Sequence, residues 1–235
     1  MLVNEEKNMK DVIVSHISSI WKLLSEDEQN YLYDQLSYHT YRKNELIYCE
    51  GMQPENMMCL LSGQVKIYKV GPNTRFQIMR VIRPVQYFGY RAYFAHEPYV
   101  TNACAFENAK IALIPMKCID HIIETNCRLA AFFIHQLATD LGISDQRSIT
   151  LTQSHIRGRL SESILFLKKT YGVEADGATL SIYLSREDLA ALANMTTANA
   201  IRTLSSFTTE NLVVTDGRKI KIIDETALQR IARLG

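Results

Sequence analysis

The residues whose types and spacing suit chemistry best are Thr197, Ala198, Asn199 and Arg202. They share one face of the stretch Leu184–Leu204, LSREDLAALANMTTANAIRTL. Short polar side chains and one guanidinium form no nucleophile–base pair and no metal set. They do suit the edges of bases in a DNA major groove, where an Arg can reach guanine O6 and N7 together. Other reactive residues are scattered. His39 and His96 are isolated, whereas a jelly-roll metal enzyme needs closely spaced His ligands with a Glu on adjacent strands. No metal, no cofactor and no enzymatic activity are therefore expected.

A base-reading face needs a rigid mount, and the flanking residues supply one. Ser185 with Asp188 three residues on reads as a helix N-cap, and Leu189, Leu192 and Ala193 fall on one face of that helix. Asn194 sits where the chain must turn and tolerates the left-handed conformation such a turn uses. Thr196 caps a second helix whose Ala200, Ile201 and Leu204 are expected inward. The alternating runs around Asp216-Gly217, from Val213 to Ile223, read as a β-hairpin. Together these make a winged helix-turn-helix, with the wing's Lys219 and Lys221 as phosphate contacts.

With 47% hydrophobic and 22% charged residues, the 235-residue chain is globular and long enough for two cores. The polar, acidic start MLVNEEKNMKD does not read as a signal peptide, and no apolar run nears the ~18 residues of a membrane span. Cys49, Cys59, Cys104, Cys118 and Cys127 have no CxxC or paired spacing, which suits reduced thiols in a cytoplasm. A net charge of +1 is low for a DNA-binding protein, so affinity must come from placing a few cations and from dimerisation.

Residues 11–36 read as helices, the second starting at Ser25-Glu26-Asp27-Glu28. From Tyr38 the period becomes two. Short runs follow at 45–49, 57–61, 64–70, 75–82, 102–107 and 109–115, punctuated by Gly51, Gly63, Gly71-Pro72-Asn73 and Arg83-Pro84. Many short strands with frequent turns indicate a sandwich, jelly roll or barrel. A short helix holds Ile119, Ile122 and Ile123. A long helix follows from about Asn126 to Ser154, with Ala130, Ile134, Leu137, Leu141, Ser144, Ser148 and Leu151 spaced as a coiled-coil seam for a second copy. Residues 155–171 read as a helix, and 179–184 as a short strand.

In this order the chain resembles the Crp/Fnr family of bacterial transcription regulators. The resemblance rests on Leu46-Ile47-Tyr48-Cys49-Glu50-Gly51, Leu60-Leu61-Ser62-Gly63-Gln64-Val65-Lys66, Tyr87-Phe88-Gly89 with Phe94, Gly158-Arg159-Leu160, and the Leu184–Leu212 helix-turn-helix. It implies a homodimer on a palindromic double-stranded operator, an effector-sensing β-roll and contact with RNA polymerase. It also assigns Ser185, Arg186 and Thr196 to phosphate contacts or caps. Of the family's usual base-reading residues only Arg202 is kept; Thr197 and Ala198 stand at the other two positions.

The family's cyclic-nucleotide pocket is where the sequence departs. The Gly-Glu pair whose Glu holds the ribose reads Gly89-Tyr90. The Arg-Ser pair that clamps the phosphate falls near Tyr99-Val100, where there is no Arg. The Thr-Ser pair that touches the base matches Ser144-Asp145, and Asp145 beside a buried phosphodiester is unfavourable. These departures argue against cyclic AMP. Tyr90, Arg91, Tyr99, Thr101 and Asn102, with Ser144 and Asp145, either line a pocket for another small molecule or, by default, pack the roll. The iron–sulfur branch of the family needs an N-terminal Cys cluster, and the first Cys here is Cys49. For haem, His96, His121, His135 and His155 are available, but no spacing singles one out.

The expected fold is α+β: an N-terminal β-roll sensor over residues 1–125, a long dimerisation helix over 126–154 and a winged helix-turn-helix over 155–235. The expected function is a cytoplasmic, homodimeric, sequence-specific regulator responding to an effector other than cyclic AMP. The alternative is a β-roll sensor of a small ligand or protein with little DNA-binding activity.

Overall fold

A computed structural model describes residues 2–71 and 75–234; Pro72 and Asn73 of the expected turn lie outside them. The N-terminal helices are α1 (Leu2–His16), α2 (Ser18–Trp21) and α3 (Glu26–Gln35). As its sequence implies, α3 opens with a capping box: the Glu28 amide donates to Ser25 Oγ, and the Ser25 amide donates to Glu28 Oε2. The strands that follow are β1 (Ser37–Tyr41), β2 (Leu46–Tyr48), β3 (Asn56–Ser62), β4 (Val65–Val70), β5 (Phe76–Ile82) and β6 (Tyr87–Phe88). A short helix α4 (Tyr90–Phe94) precedes β7 (Asn102–Ala105) and β8 (Ala109–Pro115).

These strands form two four-stranded sheets, ordered β1-β8-β3-β6 and β2-β7-β4-β5. The alternation along β3 explains the layering. Met57, Cys59 and Leu61 pack with Ala112 and Ile114 of β8 in a core shared with Ile13, Ile17, Ile20, Leu32 and Ile119 of the helices. Met58 and Leu60 point the other way, with Ile111, Val65, Ile67, Ile82 and Phe88, into the space enclosed by the roll. A strand buried on both faces must be apolar throughout, as Met57–Leu61 is.

The helical half begins with α5 (Met116–Ile123) and α6 (Cys127–Gln153). It continues with α7 (Ile156–Tyr171), α8 (Arg186–Leu192), α9 (Thr197–Thr209), the hairpin β9 (Val213–Asp216) and β10 (Lys219–Ile222), and α10 (Glu225–Leu234). The strand expected at 179–184 is not one. Thr179 and Leu180 make single bridges to Lys221 and Val173, and the segment runs on irregularly to the α8 cap. The chain divides into two compact units, Met1–Lys69 with Met79–Asp140, and Val70–Ile78 with Leu141–Gly235. No helix among the described residues is long and apolar enough to cross a membrane.

The turn between β3 and β4 depends on Gly63. Its φ is +85°, and a Cβ there would lie 2.3 Å from the Asn108 carbonyl oxygen and 2.8 Å from Ala109 Cα. Both obstacles are backbone, so neither can swing aside. Gly63→Ala should destabilise the roll by about 2–4 kcal/mol, read as a lowered midpoint in urea unfolding. An unchanged midpoint would mean the turn relaxes freely.

Candidate nucleic-acid interface

The mount is built from local signals. Ser185 Oγ accepts the Asp188 amide at 3.0 Å and donates to Asp188 Oδ2 at 2.7 Å, capping α8. Leu189, Leu192 and Ala193 are buried. Asn194 takes φ +49° between the helices, and the Met195 amide closes the turn onto the Ala190 carbonyl at 3.0 Å. Thr196 then caps α9 by accepting the Asn199 amide at 3.2 Å. The caps and the turn thus occupy the positions expected for them.

On α9 the buried residues are Ala200, Thr203, Leu204 and Phe207. Thr197, Ala198, Ile201, Arg202 and Ser205 are exposed, with Asn199 half-buried at the edge. Ile201 therefore corrects the expectation of an inward side chain. The buried stripe runs through Ala200, Thr203, Leu204 and Phe207, and with Thr203 in it the middle of the stripe lies about 110° around the helix from Ile201. Arg202 projects outward and is braced: its Nη2 donates to Asn199 Oδ1 at 2.7 Å. The far end of α9 is held by Arg157 of α7. Its guanidinium donates in parallel to both Glu210 carboxylate oxygens, at 2.8 and 2.6 Å, and lies over the Phe207 ring. These hydrogen bonds hold the Glu210 carboxyl down at about 2.

The wing pairs Val213–Asp216 with Lys219–Ile222, so its two-residue loop is Gly217-Arg218, one step beyond the Asp-Gly expected to form it. Arg186, at the start of α8, donates to the Gly217 carbonyl at 2.7 Å, joining the first helix of the motif to the wing tip. The wing lysines face an acidic loop: Lys219 lies 3.6 Å from Glu174, and Lys221 3.3 Å from Asp176. Asp176 is kept ionised chiefly by the Thr179 and Ala178 amides it accepts, which set its carboxyl far below the usual range. Arg147 of α6 was not singled out from the sequence. It is half-buried and donates to the Ile78 carbonyl and to the Leu192 carbonyl at the end of α8, with desolvation lowering its guanidinium to about 10.

Of the residues proposed for an effector pocket, Tyr99 and Thr101 meet at Tyr48 inside the roll, with Arg91 near enough to act on the Tyr48 hydroxyl, whereas Tyr90 lies in the other core. Tyr90 is buried in the core under the helices, against Phe94 and Phe133, with its hydroxyl donating to Asp140 Oδ2 at 3.3 Å. Asp140 also pairs with Arg80. Tyr99 belongs to the other core, stacked on Tyr48 with ring centroids 3.8 Å apart. Thr101 lies against the Tyr48 hydroxyl. Asn102 Oδ1 accepts the Glu50 amide, and Arg91 pairs on the surface with Glu97. Gly89 takes a φ of +88°, and a Cβ there would push on Met58 Cε at 2.4 Å and crowd the Tyr99 hydroxyl at 3.2 Å. Ser144 and Asp145 are exposed on α6. Among the described residues no three His, Cys, Asp or Glu side chains are grouped to hold a metal.

Along the expected seam, Ile134 and Leu141 are 68% and 62% exposed. Ser144 and Ser148 are also exposed, and Ala130 and Leu151 half-buried. Leu137 instead packs partly into the core of its own roll, so it is not a free seam position.

Two known domains match, one on each side of α6. Residues 38–126 match the family described as cyclic nucleotide-binding domain, and residues 158–231 match the Crp-like helix-turn-helix domain. The chain belongs to the Crp/Fnr family. Like its relatives in that family, it is a transcription regulator with a DNA-binding helix-turn-helix and not an enzyme. One relative is the CRP-like cAMP-activated global transcriptional regulator of Mycobacterium tuberculosis, 21% identical over 200 residues that cover 85% of this chain and 89% of that protein. Among solved Crp/Fnr folds, FixK2 from Bradyrhizobium japonicum superposes with a TM-score of 0.75 at 20% identity, covering 83% of this chain and 96% of that one. A putative Crp/Fnr-family regulator from Eubacterium rectale gives 0.76 at 17% identity, covering 91% and 97%.

Proposed function

We propose that the protein is a homodimeric, cytoplasmic regulator that reads a palindromic operator through Arg202 and its neighbours on α9, and that its roll answers to something other than cyclic AMP. The observation that carries the reading is the braced guanidinium of Arg202 on the exposed face of a capped helix, beside the wing. Asn199 restricts where that fork can point, which favours two parallel hydrogen bonds to one guanine over a diffuse attraction to phosphates. Contact with RNA polymerase belongs to the same proposal.

The test is fluorescence anisotropy on operator and scrambled duplexes at several salt concentrations. Arg202→Ala should remove ~1–3 kcal/mol of base discrimination per half-site, with binding to scrambled DNA almost unchanged. Equal loss on both duplexes would make Arg202 a phosphate anchor.

The dimer is supported by the apolar side chains that α6 leaves uncovered, Ile134, Leu141 and Ile149 among them. Leu141 tests it more cleanly than Leu137, which also serves the roll core. Leu141→Asp should place a charge in the contact at a cost of several kcal/mol and give a folded monomer by light scattering. A folded dimer would place the contact elsewhere.

The proposal on the effector is supported by the Tyr48–Tyr99 stack in the roll core and by Tyr90, which stands where cyclic-nucleotide binders of the family carry the ribose-holding Glu. The segment at Tyr99-Val100 lacks the Arg with which the family's cyclic-nucleotide binders clamp the phosphate. Titration calorimetry with cyclic AMP should show no binding at micromolar concentration; a micromolar dissociation constant would overturn this part of the reading.

A further inference from the structure

The outward face of α9 holds a side chain that the reading above leaves unused. Ile201 is 47% exposed beside Arg202, and it is the only large apolar residue among Thr197, Ala198, Ile201, Arg202 and Ser205. Single exposed aliphatics are ordinary on protein surfaces. This one lies in the second turn of the helix that carries the base-reading Arg, flanked by small side chains that let it approach a groove floor. As a β-branched residue in a helix it has essentially one χ1 rotamer, so little freedom is lost when it docks.

A major-groove edge offers an aliphatic side chain one favourable target. Guanine, adenine and cytosine present acceptors or an amino group there; thymine adds a C5-methyl. Ile201 against polar edges would strip water from groups it cannot hydrogen-bond. We propose that Ile201 is a specificity-determining residue of this regulator that packs on a thymine methyl next to the base pair contacted by Arg202. The inference rests on the DNA-reading function of α9 and gives that function a second, apolar letter. Ala198 and the Thr197 methyl extend the same apolar strip. Arg202 selects by hydrogen bonds to its neighbour, so the two side chains read adjacent positions by different physics.

The experiment starts with the full-length protein and a random double-stranded library, from which bound sequences are selected. Each thymine of the selected half-site is then replaced by deoxyuridine, which deletes the methyl and nothing else. At one thymine adjacent to an Arg202-dependent guanine, the replacement should weaken binding about fourfold per half-site, and about fifteenfold when made in both, the equivalent of ~0.8 kcal/mol per buried methyl. Ile201→Ala keeps a good helix former on an exposed face and should bind the thymine and uracil duplexes equally. Uracil substitutions without effect at every position, a half-site lacking such a thymine, or an Ile201→Ala variant that still discriminates would each overturn the inference while leaving DNA reading intact. A library that yields no enriched sequence would overturn the DNA-reading function itself, and the inference with it.

Discussion

The turn between α8 and α9 is the constraint on which the presentation of the whole interface depends. Asn194 at positive φ lets the chain reverse in four residues, and the Met195 amide closes it onto Ala190. The caps at Ser185 and Thr196 define where each helix begins. Ala200, Leu204 and Phe207 are then committed to the core, and the rotation of α9 about its axis follows. One residue of slippage would turn the helix by about 100°, burying Arg202 and exposing Leu204. The clamp of Arg157 on Glu210 and Ser206 resists the same rotation from the other end. A base-reading face is thus a by-product of how the opposite face packs.

The roll works by the same logic with a different outcome. Because β3 and β8 are buried on both faces, their inward residues must fill the enclosed space or leave it open. Here large aromatics fill it. Tyr48 and Tyr99 stack, and Phe88 packs beside Met58 and Leu60 in the same core. Gly89 opens α4 at a φ of +88°, a backbone conformation that favours glycine.

What could be read from sequence was what is encoded locally. The caps, the Asn194 turn, the wing, the long helix and most strands rest on signals within four or five residues, and each lies within a few residues of its expected place. β1 was not marked off as a strand of its own, although the period-two pattern starts at Tyr38, because Ser37–Tyr41 is mostly exposed; it exists by pairing with β8. β6 has two residues, and α4 starts directly from the left-handed Gly89. α10 went unread although it is strongly amphipathic, since its partner α7 lies some sixty residues away. On the outward face of α9 the exposure of Thr197, Ala198 and Arg202 was legible and that of Ile201 was not, because hydrophobicity alone assigns an isoleucine inward. The Asn199–Arg202 brace was within reach as an i, i+3 pair. The Arg186–Gly217 tie joins residues 31 apart and had no local signal.

The near-neutral charge of the chain also acquires a structural meaning. Lys219 and Lys221 are not free cations waiting on the wing; each makes a partly exposed ion pair with a carboxylate of the 174–176 loop. Such exposed pairs contribute little to stability, since water and salt screen them. A phosphate approaching the wing would therefore compete with Glu174 and Asp176 at little cost in folding. The same carboxylates lower the potential that attracts any stretch of DNA, whatever its sequence. Affinity for random DNA scales with the number of phosphates neutralised, and a wing partly neutralised by its own loop keeps that number low. Contacts that depend on base identity, which we propose for the outward face of α9, would then form a larger share of the whole. In a regulator that must leave random DNA to find one site, that balance favours discrimination over adhesion.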